Sequence, residues 1–368
     1  MSKKIHNITC ILCFSVFIIA LGLTCFLKEP TEILASERRK AAQFPEFSIE
    51  AVMDKSFFDG LEDYLADQFP LRDSFRSVKA AIQLKLLGHK DNNGIYTVDG
   101  HISELDYKLS ESSVENAAQK LNTIYNQYLA NANTKCYYSV IPDKNYYLAE
   151  KNGYPALDYD KMLDIYTSGV KNMEYIDIFG TLDIDDYYKT DSHWKQENIE
   201  TVVEKLSNSM GFDAKPTDYY TAEKLTGFEG VYAPRLALNG AADEIICLES
   251  EATQAATVYN LETNKTTVGV YDKSKLNGND KYDVYLSGAS ALLTVENPLA
   301  EQKRELVIFR DSFGSSLAPL MLEGYSKITL VDLRYISSQI LGEYVDFENC
   351  DVLFIFNTQI INQSSLLK

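Results

Sequence analysis

A carboxylate two residues before an imidazole is the first feature of this chain that could do chemistry. Asp191 and His193 lie in Tyr187-Tyr188-Lys189-Thr190-Asp191-Ser192-His193-Trp194, which also holds the single tryptophan. In extended backbone, residues i and i+2 face the same way, so Asp191 can accept a hydrogen bond from one ring nitrogen of His193. That bond fixes the tautomer and leaves the other nitrogen free as a base. The dyad lacks a nucleophile. Leu306-Val307-Ile308-Phe309-Arg310-Asp311-Ser312-Phe313-Gly314 offers one: an apolar strand ends at Ser312, and a glycine-containing turn opens a helix. Amides at a helix N-terminus face a developing oxyanion. Serine, histidine and aspartate in these roles serve acyl transfer, to water or to another hydroxyl. A D-x-H tripeptide alone is more often a surface loop, so the reading rests on the combination. Asp311 reads as a structural cap rather than an acid. Pro319 reads as a kink, or as the end of a short first helical segment.

Four further residues are candidates for holding substrate. Arg334 and Asn357 follow later strands, the first as a guanidinium for substrate or oxyanion, the second as an amide donor. Trp194 and Tyr188 offer rings to a sugar. Each has a plainer alternative: an ion pair for Arg334, a strand-end turn for Asn357, and packing for the two rings. His6, His89 and His101 lie away from these motifs. Of six cysteines, three fall in the N-terminal apolar run and three are scattered, with no metal-ligand spacing. No metal or organic cofactor is implied.

The elements that must position these groups follow from periodicity. Ile8 to Leu27 carries no charge over 20 residues, enough to cross the hydrocarbon core of a bilayer. Lys3 and Lys4 before it favour a cytoplasmic N-terminus, with the rest of the chain outside the membrane. An uncleaved signal anchor (residues 1–28) is favoured over a cleaved signal peptide, which would leave the chain secreted. Residues 29–48 read as a stalk and 49–368 as the ectodomain. Helices are expected over 49–87, broken at Gln68-Phe69-Pro70-Leu71-Arg72-Asp73. A hairpin is expected over 92–102 with Asp99-Gly100 at its turn. A capping box of Ser112 with Glu115 is expected to start the next helix. Strands over 136–141 and 173–178, a helix over 199–210 stopped by Gly211, and strands over 306–309, 328–331 and 352–356 make an α/β domain with a mainly parallel sheet. Residues 215–290 are expected as a β-rich insertion or flap, with strands over 257–259, 266–271 and 282–286. Ligands bind at the carboxyl ends of such strands, where Ser312, Arg334 and Asn357 all fall.

The net charge is −18, from 35 basic and 53 acidic residues, which argues against nucleic acid or an anionic membrane surface as partner. The 25 tyrosines suit ordinary packing or a sugar-facing surface.

Several segments together resemble the DHHW family, relatives of the alginate-type sugar O-acetyltransferases within the SGNH hydrolase-like superfamily. They are Phe44-Pro45, Asp67 to Asp73, Asn93-Gly94-Ile95-Tyr96, Pro142-Asp143-Lys144, Tyr187 to Trp194, Phe309 to Phe313 and Val331-Asp332-Leu333-Arg334. The family's D-H-H-W reads Asp191-Ser192-His193-Trp194 here, so the departure at Ser192 spares the D-x-H pair. The resemblance implies a three-layer SGNH hydrolase-like sandwich and a triad of Ser312, His193 and Asp191. It implies an extracytoplasmic enzyme that acetylates a polysaccharide, with a membrane-bound O-acyltransferase as the possible acetyl donor. Two other functions stay open: a carbohydrate esterase using the same triad on water, and a non-catalytic glycan-binding or scaffold protein of the envelope.

Overall fold

The structure, a computed structural model, describes residues 3–34, 37, 39–215, 217–238, 242–278 and 280–368. The chain divides into two compact units. The first is Met1–Asn93 with Ala233–Gly240. It opens with α1 (Lys3–Leu27), whose apolar side chains are mostly exposed, with Leu21 half-buried and Cys25 buried. At about 1.5 Å per residue α1 is about 38 Å long, and its mean hydropathy of 2.7 fits a single-pass anchor or a signal.

Within residues 29–48, expected as a stalk, several of the described residues make contacts. β1 (Ile33–Leu34) pairs antiparallel with β2 (Arg39–Lys40). Arg39 donates to both carboxylate oxygens of Asp67, at 2.7 and 2.6 Å. The Gln68 amide both accepts from the Thr31 N–H and donates to its carbonyl. α2 (Ile49–Met53) and α3 (Ser56–Asp67) follow, and Asp67 and Gln68 close α3 onto that segment. Pro70, and Leu71 with φ of 58°, make the expected break before α4 (Arg72–Ala81).

The second unit is Gly94–Tyr232 with Ala241–Lys368. β3 (Ile95–Val98) and β4 (His101–Glu104) form the expected hairpin. Asp99 and Gly100 both have positive φ, as its two-residue turn requires. α5 (Glu111–Ile124) starts one residue before the expected capping serine. Ser112 therefore lies in the first turn, and Ser110 occupies the cap without a side-chain bond to the helix backbone. Tertiary contacts fix this start instead: Ser110 N–H donates to Asn362, and Ser113 bonds the Ile361 carbonyl.

Next come β5 (Lys135–Ile141), α6 (Lys144–Leu148), α7 (Tyr159–Gly169) and β6 (Glu174–Tyr175). β6 is shorter than the strand expected over 173–178 because Asp177 turns the chain by capping the Phe179 N–H. α8 (Glu200–Met210) ends at Gly211 in the left-handed conformation. β7 (Thr221–Phe228), α9 (Tyr232–Leu236), β8 (Asp243–Glu249) and α10 (Glu251–Ala255) precede β9 (Thr257–Asn260) and β10 (Lys265–Val268). β11 (Leu292–Glu296), β12 (Glu305–Arg310), α11 (Gly314–Leu317), β13 (Lys327–Val331), β14 (Cys350–Asn357) and α12 (Thr358–Asn362) complete the fold.

The eight-stranded sheet runs β10-β9-β11-β13-β12-β14-β5-β6. β13, β12, β14, β5 and β6 are parallel, and β11, β9 and β10 add antiparallel at one edge. The insertion is thus not one flap. β9 and β10 widen the main sheet, while β7 and β8 form a separate hairpin. The strand expected over 282–286 is a tight helical turn over Lys281–Val284, nucleated where Asp280 caps the Tyr282 N–H. Positive φ at Leu286, Ser287 and Gly288 then reverses the chain.

Strand alternation makes three layers. Leu306 and Ile308 face one core with Val202, Val203, Leu206 and Met210 of α8. Val307 and Phe309 face the other with Val114, Leu121 and Ile124 of α5. Burying a side chain of this kind is worth about 1.5–3 kcal/mol.

Candidate active site

Buried on both faces, β12 carries the chain up to its carboxyl end. From Leu306 to Leu322 every residue is buried except Ser312. Asp311 shapes this turn. One carboxylate oxygen accepts from the Phe313 N–H at 3.0 Å, and the other from the Asn357 N–H at 2.6 Å, joining the ends of β12 and β14. Burial raises its pKa, and both oxygens are already engaged, so it is a cap. Gly314 lets the turn close, since a Cβ there would sit 2.7 Å from Arg310 Cβ. α11 is four residues long, and the helix tightens from Ala318 with Pro319 in its first positions.

The D-x-H loop reaches the same point. His193 Nε2 lies 2.7 Å from Ser312 Oγ, and His193 Nδ1 lies 2.6 Å from Asp191 Oδ1. The three side chains form one hydrogen-bonded line whose serine end is open. Ser316, one turn beyond Ser312, ties loop to helix. Its hydroxyl accepts from Trp194 Nε1 at 2.9 Å and lies 2.8 Å from the Tyr282 hydroxyl, while its carbonyl accepts from Gln196. The Tyr282 ring stacks on His193, with centroids 3.9 Å apart and planes within 10°.

Burial by itself would raise the Asp191 carboxyl. The charge and hydrogen bond of His193, with amides of Val231 and His193, outweigh it and hold the group well below the usual carboxylate range. Its second oxygen accepts from the Val231 N–H at 2.8 Å. Nearby, Tyr232 N–H donates to the Thr190 carbonyl, and Gly230 N–H to the Thr190 hydroxyl. Asp243, at the start of β8, accepts from the amides of Lys189 and Thr190 and from the Thr190 hydroxyl.

None of Gly230, Val231, Asp243, Tyr282 or Lys144 was a sequence-level candidate. Lys144 lay in one of the resembling segments, Pro142-Asp143-Lys144, and Gly230 is a place where a Cβ would lie 2.3 Å from Asp191 Cβ and 2.5 Å from its backbone. Gly230→Ala should destabilise the protein by about 1–3 kcal/mol through overpacking. It should also lower turnover by displacing Asp191. Thermal melting and turnover measured together check this, and an unchanged pair would refute the contact.

The other candidates have different places. Trp194 is fully buried against Phe313 and offers no face to a sugar. Tyr188 is fully buried, its hydroxyl 3.3 Å from that of Tyr285. Asn357 is buried and spends its side chain within the fold, accepting from Gln359 N–H and donating to the Ile141 carbonyl. Arg334 is held in a two-pronged pair with buried Asp332, at 2.9 and 2.6 Å, and remains partly exposed. Arg310, one residue before Asp311, is a wholly buried guanidinium. Its Nη1 bonds the Asp311 carbonyl and Ser315, while Nε and Nη2 have no partner among the described residues.

A mainly parallel sheet between two helical layers, with the serine and D-x-H loops at its carboxyl end, makes this an α/β protein. The chain belongs to the DHHW family, whose sequence profile matches residues 37–139 and 159–331. Its fold is similar to a DHHW family protein from Eubacterium siraeum, with a TM-score of 0.62 and 21% identity over 75% of this chain and 94% of that one. It is also similar to Bacillus cereus PatB1 with a sulfonyl adduct, with a TM-score of 0.59 and 16% identity over 73% and 95%. The O-acetyltransferase domain of Pseudomonas putida AlgJ matches more loosely, with a TM-score of 0.41 and 11% identity over 73% and 92%. No curated protein matches the chain in sequence.

Proposed function

We propose that this chain is a membrane-anchored extracytoplasmic acyl-transfer enzyme that O-acetylates a polysaccharide through Ser312, His193 and Asp191. The observation that carries this reading is the line Asp191–His193–Ser312, at 2.6 and 2.7 Å, ending at the one unburied residue of its segment. Kinship of the DHHW family with alginate-type O-acetyltransferases supports acetyl as the acyl group and a sugar as acceptor. α1 supports the anchor, and Lys3 and Lys4 at its start support an extracytoplasmic ectodomain.

The chemistry runs in two balanced halves. Ser312 Oγ attacks the acetyl carbonyl of the donor ester while His193 Nε2 takes the hydroxyl proton. Asp191 holds the imidazolium through Nδ1, and the stacked Tyr282 ring faces the cation. The Ser312 N–H, which has no partner among the described residues, is available to the oxyanion. The donor oxygen leaves with the proton from His193, and acetyl-Ser312 remains. A sugar hydroxyl then gives its proton to His193 and takes the acetyl group, and the proton returns to Ser312. Water in place of the sugar makes the same site an esterase. A membrane-bound O-acyltransferase would supply the donor.

Full-length protein in detergent, incubated with an activated acetyl ester, should carry acetyl on the Ser312 peptide by mass spectrometry. Adding an oligosaccharide should discharge it to the sugar faster than water does. A sulfonyl fluoride should label the same serine and block both steps. Discharge to water alone would favour the esterase, and no adduct on Ser312 with either reagent would overturn the triad.

A further inference from the structure

We infer that Lys144 is the positioning residue of the triad aspartate: its buried ammonium holds the Tyr188–Asp191 backbone in the register that aims Asp191 at His193. The inference rests on the triad reading proposed above. Lys144 opens α6 just past the carboxyl end of β5, after Asp143 caps that helix by accepting from the Asn145 N–H. Only 2% of Lys144 is exposed.

Lys144 Nζ donates to the carbonyls of Ile102, Tyr188, Lys189 and Asp191, at 2.5, 2.8, 3.1 and 3.0 Å. One carbonyl belongs to β4 and three to the D-x-H loop, the last being that of Asp191 itself. An ammonium has three N–H groups, so four oxygens use all of them, with one shared. A neutral amine has two. Burying an unpaired ammonium costs several kcal/mol, so this cage of carbonyls is what keeps the group inside. The same loop is also held by Asp243 and by Gly230 to Tyr232.

The charged groups around Nζ are Asp191 and Asp243, which favour the ammonium, and Lys195, which opposes it. His101 also feels this charge, and the Tyr232 ring lies 5.7 Å away. Burial, the largest influence, pulls the Lys144 pKa down to about 7. The group therefore loses its third donor as pH rises through and above neutrality, and turnover should fall on that side.

Lys144→Ala in the full-length protein should lower kcat about a hundred-fold, the scale of a 1 Å misplacement, with little change in KM. The downfield proton resonance of the His193–Asp191 hydrogen bond should vanish with it. Ethylammonium, filling the vacated cage, should restore both, and ethanol should restore neither. If Ala disrupts folding, Lys144→Arg serves, since it keeps the charge at every pH and should move the alkaline fall upward. Unchanged kcat and resonance, rescue by ethanol as good as by ethylammonium, or an alkaline fall unmoved in Lys144→Arg would each overturn the inference. A wild type with no ester turnover, whose resonance still responds to Lys144→Ala and ethylammonium, would sink the triad reading and leave the positioning role standing.

Discussion

Ser312→Ala will lower turnover of an activated acetyl ester by about 10⁴-fold or more, while the melting temperature stays within a degree or two of wild type. Both halves follow from where the oxygen sits. Ser312 is the one residue of 306–322 that is not buried, and its Oγ lies 2.7 Å from His193 Nε2. Removing it deletes the atom that would carry the acetyl group, and neither His193 nor Asp191 can replace it. Stability is set elsewhere in the turn. Asp311 still caps Phe313 and bridges to Asn357, Gly314 still packs on Arg310, and Ser316 still receives Trp194. A partly exposed serine outside these contacts belongs with substitutions worth about 0.5 kcal/mol or less. Turnover and thermal melting of one preparation check the claim, and undiminished turnover would remove Ser312 from the chemistry.

The pattern of legibility in the sequence has a physical cause. β12 and β14 were readable because a strand buried on both faces must be an unbroken apolar run. The D-x-H pair was readable because its chemistry depends on side-chain types at a short spacing. What holds that pair was not. Val231 gives Asp191 a backbone amide, and Lys144 is bound by backbone carbonyls, neither of which depends on residue type. Periodicity also places a ring on a face without saying whether a later segment will cover it. Tyr188 and Trp194 were plausible sugar platforms, but Phe228, Ile245, Tyr282 and Tyr285 pack with Tyr188 and Ser316 takes the Trp194 N–H. Ser112 failed as a cap for a related reason: Asn362, 252 residues from Ser110, decides where α5 begins.

Asp191→Asn should cost about 10³- to 10⁴-fold in kcat/KM and also destabilise the fold at neutral pH. The cause is a conflict of donors. Asp191 is 1% exposed, and its two oxygens accept from different groups, Oδ1 from His193 and Oδ2 from the Val231 N–H. An asparagine has one acceptor and one NH₂ to fill those places. If its oxygen meets His193, the NH₂ faces the Val231 N–H, and a buried donor is left unsatisfied at about 1–3 kcal/mol. If the amide turns over, the NH₂ meets Nδ1 and forces the ring proton onto Nε2, where Ser312 needs a base. The pH dependence separates this from simple misfolding. The Asp191 pKa is depressed in the folded protein, so its stabilising share is fully present above about 4, the unfolded carboxyl value. That share is lost as pH falls through the lower folded value. Wild type should therefore lose stability on acidification below about 4 by a margin that Asp191→Asn does not share. Melting curves of both proteins from neutral to strongly acid pH check the difference. Parallel curves would mean that the Asp191 carboxylate is not held by His193 and Val231.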